Sequence, residues 1–140
     1  MQLYVYSRLA LQAARPHEVP HAIISITSAV DDVARFPVPG TCRGVLRVAF
    51  PDAETASETF AESVLFSDEH ARRIWDFVLL HRADVERIVV HCDAGMSRSP
   101  AVAAAIAEKL GLDGSEFLGG RYRPNARVLR ALREHAAAAP

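Results

Sequence analysis

The sequence predicts an α/β fold: a central, mostly parallel sheet flanked by helices. Three observations carry this. Short β-branched runs alternate with segments of helical periodicity, the order expected of strands joined by helical crossovers. One run, Glu86 to Cys92 (ERIVVHC), follows a helix and is apolar on both faces, as a buried parallel strand must be. The chain has 140 residues, half of them hydrophobic, with no internal repeat or Gly/Ser linker apart from a short alanine tail at Ala136 to Ala139. That suits a single domain over 1–140 with one core and no need of metal or disulfide staples.

Leu3 and Val5, with Tyr4 and Tyr6, read as a first strand, followed by a helix from about Arg8 to Arg15 that Pro16 and Pro20 end. His21 to Thr27 (HAIISIT) is a second strand. Residues 28–44, punctuated by Pro37, Pro39 and Gly40, read as a short helix and loop before a third strand over 44–50, which Pro51 ends. Ser67 and Asp68 start a helix in which Ala71, Ile74, Trp75, Val78 and Leu79 form one buried stripe. The apolar strand that follows ends at Cys92. Ser99 to Leu110 is the next helix, with Val102, Ile106 and Leu110 inward, alanines permitting close approach to the sheet, and Gly111 as its stop. A last helix, Pro124 to about Ala136, carries Val128, Leu129, Leu132 and Ala136 on one face.

Charge excludes several function classes. Lys+Arg total 16 against 17 for Asp+Glu, a net charge of -1, so no global positive field draws nucleic acid or anionic membrane. Any anion site must be local. The longest fully apolar run, Ala101 to Ala107, falls far short of the roughly 20 residues of a membrane span. The N-terminal residues lack a charged region ahead of an apolar run, so a cytoplasmic location is the expectation; a monomer is expected as well. Cys42 and Cys92 are too few for a disulfide framework or a four-cysteine zinc site. His17, His21, His70, His81 and His135 have no metal spacing and read as surface or cap residues; no metal or other cofactor is required.

The chemistry concentrates in His91-Cys92-Asp93-Ala94-Gly95-Met96-Ser97-Arg98-Ser99-Pro100, which joins the carboxyl end of the buried strand to a helix start. Ligands bind at that position in open α/β sheets. Five residues between Cys92 and Arg98 suffice to wrap a cradle whose backbone NH groups converge on one tetrahedral anion. The loop Asp93, Ala94, Gly95, Met96, Ser97 is thus a candidate substrate-binding segment, fit for a phosphate or sulfate ion. The helix start adds favourable potential, and the planar fork of Arg98 suits two oxygens of the anion. The same positive charges favour the nucleophilic thiolate of Cys92.

This decamer resembles the signature of the protein tyrosine phosphatase superfamily, and HCDAGMSRSP looks like its dual-specificity branch. Two further matches are Asp52 in VAFPDAET, where the family carries a general acid, and Pro124-Asn125, a pair that opens the family's final helix. The resemblance runs from about His21 onward. It implies a tyrosine phosphatase-like fold and a two-step hydrolysis of phosphotyrosine in a protein or peptide, with phosphoserine and phosphothreonine as further substrates. Cys92 would be the nucleophile, Asp52 the acid, Arg98 the anion grip and Ser99 the hydroxyl that bonds the leaving thiolate. His91 would orient the loop, and Asn125 would support His91. Glu54 and Asp68 are rivals for the acid. Some relatives protect the nucleophile by a disulfide, which here would pair Cys42 with Cys92. Arg121 or Arg123, in a basic stretch continued by Arg127, Arg130 and Arg133, could bind a second anion. Competing readings are a phosphatase of a phosphoinositide, nucleotide or RNA end, and a binding protein that captures phosphate esters without turnover.

Overall fold

The computed structural model describes residues 1–136; the rest of the alanine tail lies outside the described residues. The elements are β1 (Gln2–Ser7), α1 (Arg8–Ala13), β2 (His21–Thr27), β3 (Cys42–Ala49), α2 (Asp68–His81), β4 (Arg87–Cys92), α3 (Arg98–Leu110) and α4 (Ala126–Ala136), with short 3-10 turns at Glu62–Val64 and Ser115–Leu118. The sheet order is β1-β4-β2-β3 and every pairing is parallel. The two central strands are therefore covered on both faces, and all seven residues of β2 are buried.

Alternation along the strands divides the molecule into layers. Ile88, Val90 and Cys92 of β4 join Ala22, Ile24 and Ile26 of β2 in the main core, against α2, α3 and α4. Val89 and Ile23 face the other way, toward Leu11 of α1, Tyr4, Tyr6 and Phe36. One face thus carries three helices and the other a single short helix and an irregular segment. The alanines of α3 serve the first face: Ala101 to Ala105 and Ala107 are buried, with no long side chain to hold helix and sheet apart. Trp75 of α2 donates its indole NH to the Leu132 carbonyl at 3.0 Å, tying α2 to α4.

Helix ends follow local chemistry. Ser7 caps α1 by accepting from the Ala10 amide. Ser67 and His70 form a reciprocal capping box at α2. Gly111, with φ 72°, closes α3 in the left-handed region.

Several sequence expectations need correction. No helix forms over 28–44. Phe36 precedes a proline and resists helical geometry, and the polar groups upstream are taken by distant partners: Asp32 receives a two-pronged bond from Arg8 at 2.7 Å, and the Ala34 carbonyl accepts from Arg47. The third strand starts at Cys42, with a register shift that leaves Arg43 unpaired against β2. The last helix starts at Ala126, because the Asn125 side chain accepts from the Val128 amide as a cap. His17 and His21 are buried. Arg87 has only protons to offer Nδ1 of His17, so its Nε2–H donates to the Tyr6 hydroxyl, and His21 bonds the Val19 carbonyl.

Burial pushes the imidazoles of His17, His70 and His91 below their ordinary value, toward the neutral form. Each is fully neutral in both states well above pH 6.5. Below it the unfolded chain takes up protons that the folded chain resists, so stability is lost as pH falls. The urea midpoint is expected to drop progressively between pH 7.5 and pH 5; a flat or rising midpoint would contradict buried neutral histidines.

Candidate active site

Cys92 is the last residue of β4 and Arg98 the first of α3, so the five residues between them turn the chain from the carboxyl end of a central strand into a helix. Cys92 is 2% exposed. Its Sγ accepts from the Gly95 amide at 3.2 Å and lies 3.1 Å from the Ser99 hydroxyl, both of which can donate to a thiolate. Gly95 is the one loop residue whose backbone only glycine suits, with φ 70°. A Cβ there would come within 2.6 Å of the Ser7 amide nitrogen and 2.7 Å of the Tyr6 carbonyl carbon. The loop is pressed against the end of β1.

The orientation of the other peptide groups follows from where their carbonyls go. The Asp93 carbonyl accepts from the Arg8 amide, Met96 from Arg123, and Ser97 from Asn125. The Cys92 carbonyl accepts from Nδ1–H of His91 at 3.2 Å, which leaves Nε2 to accept from the Ser25 hydroxyl at 2.6 Å. In a trans peptide the next NH points opposite to the carbonyl. The amides of Asp93, Ala94, Ser97 and Arg98 are thereby turned away from these outer donors, to the concave side of the loop.

Arg98 completes the cradle. The residue is 4% exposed. One terminal nitrogen donates to the Ser28 hydroxyl at 3.0 Å and the Phe50 carbonyl at 2.9 Å, and the other to Asp93 at 3.2 Å. Among the described residues, Nε has no hydrogen-bond partner. A buried, unpaired donor on a guanidinium is costly, and an oxyanion held in the loop would supply the missing acceptor.

No protein-family model and no curated protein matches the chain. Solved structures do. The human tyrosine phosphatase-like serine/threonine/tyrosine-interacting protein superimposes with a TM-score of 0.62 at 19% identity, over 97% of this chain and 91% of that one. Human DUSP28 gives 0.62 at 19%, over 97% and 92%. PTPMT1, solved in complex with PI(5)P, gives 0.58 at 17%, over 98% and 91%. The chain has the dual-specificity phosphatase fold.

In this fold Asp52 sits on the segment after β3, facing the loop. Its Oδ1 accepts from the Ser97 hydroxyl at 2.8 Å and from the Asn125 amide at 2.9 Å. Asn125 therefore holds Asp52 and caps α4; it does not support His91, whose partner is Ser25. Each rival of Asp52 has a partner other than the loop. Glu54 accepts from the Ala126 amide. Asp68 pairs with His135 at 2.9 Å, at the far end of α4, roughly 15 Å along the helix from Asn125. Cys42 cannot bridge to Cys92. It aligns with His21 and through it with Arg87 at the amino end of the sheet, five residues or roughly 16 Å from Cys92 along the strands, where a disulfide needs Cα atoms within about 7 Å.

Of the basic stretch, Arg127 bonds the Phe66 and Glu54 carbonyls and pairs with Glu62, and Arg133 pairs with Glu108. Arg121 lies over its neighbour Tyr122. Arg123 is exposed, and its backbone holds Met96.

Ser28, Ser25 and Arg8 were not identifiable as site residues from sequence. Each is an ordinary polar residue within or just past a strand, brought to the loop because β1 and β2 flank β4. Gly95→Ala is expected to weaken binding of inorganic phosphate at least tenfold, measured by titration calorimetry, while the chain still folds. Unchanged affinity would mean that the loop does not depend on its contact with β1.

Proposed function

We propose that this chain is a cysteine-dependent phosphatase that hydrolyses phosphotyrosine, and phosphoserine or phosphothreonine as further substrates, through a phosphocysteine intermediate. The observation that carries the reading is the convergence on one loop of a thiol bonded to the Gly95 amide and the Ser99 hydroxyl, a buried guanidinium with an unpaired Nε, and a carboxylate bonded to Ser97 of that same loop. A binding protein has no need of the third element.

In the first step the Cys92 thiolate donates its electron pair to phosphorus in line with the ester bond. That bond breaks, and the departing oxygen takes the proton of Asp52. Because Oδ1 already accepts from Ser97 and Asn125, the proton resides on Oδ2. In the second step Asp52, now ionised, removes a proton from water as the water attacks phosphorus. The S–P bond breaks, and the thiolate departs toward the Ser99 hydroxyl. Arg98 and the concave amides stabilise the equatorial oxygens in both transition states.

A phosphoinositide substrate is the second reading, favoured by the likeness to PTPMT1 in complex with PI(5)P. Against it stands Asp93, whose half-exposed carboxylate at the loop repels further phosphates.

The test is hydrolysis of a generic aryl phosphate in the presence of EDTA, with PI(5)P vesicles in parallel. Cys92→Ser is expected to abolish turnover while retaining phosphate binding, and Asp52→Asn to lower kcat about a hundredfold. Turnover surviving Cys92→Ser would overturn the mechanism.

A further inference from the structure

Beside the phosphate loop lies a groove of about 680 Å³ between the turn after β2 and the segment that follows Asp52. Two residues make it continuous with the site. Ser28 lines it while bonding Arg98 and, at 3.4 Å, Asp93. Pro51 lines it immediately ahead of Asp52. A group esterified to a phosphate in the loop has its bridging oxygen at Asp52, so the remainder of the substrate extends past Pro51 toward this groove.

The walls are apolar where water meets them. Val30 is 88% exposed and Val64 47%, and Phe60 and Ala61 stand beside Val64 on the same wall. Packing within the chain leaves Val30, Ala61 and Val64 in solvent and Phe60 half-buried, and an apolar occupant would cover them. The lining includes no Lys, Arg, Asp or Glu; its one titratable group is His70, which burial keeps toward neutrality. No counter-charge is offered to a polyanionic headgroup or nucleotide. The hydroxyls of Thr59 and Ser63 on the same walls suit peptide amides, whereas an acyl chain would leave them without partners. The volume is in the range that encloses a ligand well beyond a single aromatic ring.

We propose that this groove receives an apolar side chain flanking the phosphotyrosine of a protein substrate, so that the residues beside the ester select the substrate. The proposal rests on the reading of the chain as a phosphatase and adds what that phosphatase selects.

The experiment compares phosphotyrosine peptides of equal length, flanked by Leu and Phe, by Glu, or by Lys, with para-nitrophenyl phosphate as a substrate too small to reach the groove. The wild type is expected to show kcat/KM at least about tenfold higher for the apolar peptide, the scale of one side chain entering an apolar pocket. Val30→Asp and Val64→Asp, both at exposed positions, are expected to reduce that preference to within about twofold, with para-nitrophenyl phosphate turnover unchanged. Equal kcat/KM on all three peptides would overturn the proposal. So would variants that slow para-nitrophenyl phosphate in the same proportion as the peptides, or PI(5)P vesicles hydrolysed faster than the best peptide. The two readings fail differently: absent turnover of para-nitrophenyl phosphate rejects the phosphatase, and turnover without peptide preference rejects the groove alone.

Discussion

Four carbonyl groups of one short loop are each held from outside it, and the anion site is the consequence. The donors are the amide of Arg8 at the junction of β1 and α1, the amides of Arg123 and Asn125 ahead of α4, and the ring of His91 within β4. The three amides come from distant parts of the chain and meet the loop only when β1 lies parallel beside β4 and α4 packs on α3. Once they are in place, the amides of Asp93, Ala94, Ser97 and Arg98 are turned inward. A cradle built this way is organised before any ligand arrives, which is the condition for electrostatic stabilisation without reorganisation during reaction.

The same constraint explains features that look unrelated. Close contact of the loop with the end of β1 demands glycine at 95. A buried neutral His91 is needed because its ring must donate to Cys92 and accept from Ser25 at once, which the charged form cannot do. Asp52 is drawn in by Ser97 and Asn125, residues whose carbonyl and amide already shape the loop. Acid, cradle and the cap of α4 are one network, so a change at Asn125 reaches all three.

Much of this was legible in the sequence, for physical reasons. The buried strand at 86–92 and the stripe of α2 announce themselves because burial imposes a period that composition must follow. The span from Cys92 to Arg98 is legible because the whole anion site lies within seven consecutive residues. What sequence conceals is anything made by register between distant strands. The 28–44 segment carries helix-compatible residues, yet Asp32 is committed to Arg8 and Ser28 to Arg98, and tertiary partners prevailed over local propensity. Sequence places Asn125 at the site but not against Asp52, since a side chain's target depends on how α4 is placed. The idea of a Cys42–Cys92 bridge fails for the same reason: the two cysteines lie on strands separated by β2 and at opposite ends of the sheet.

The most direct measurement is an amide and guanidinium NMR titration of the folded chain with inorganic phosphate. The backbone amides of Asp93, Ala94, Ser97 and Arg98 are expected to shift with one common Kd, together with Nε–H of Arg98, while the amides of Arg8, Arg123 and Asn125 stay close to their starting positions. Phosphate binding that leaves the four loop amides and the Arg98 Nε–H unmoved would contradict this expectation.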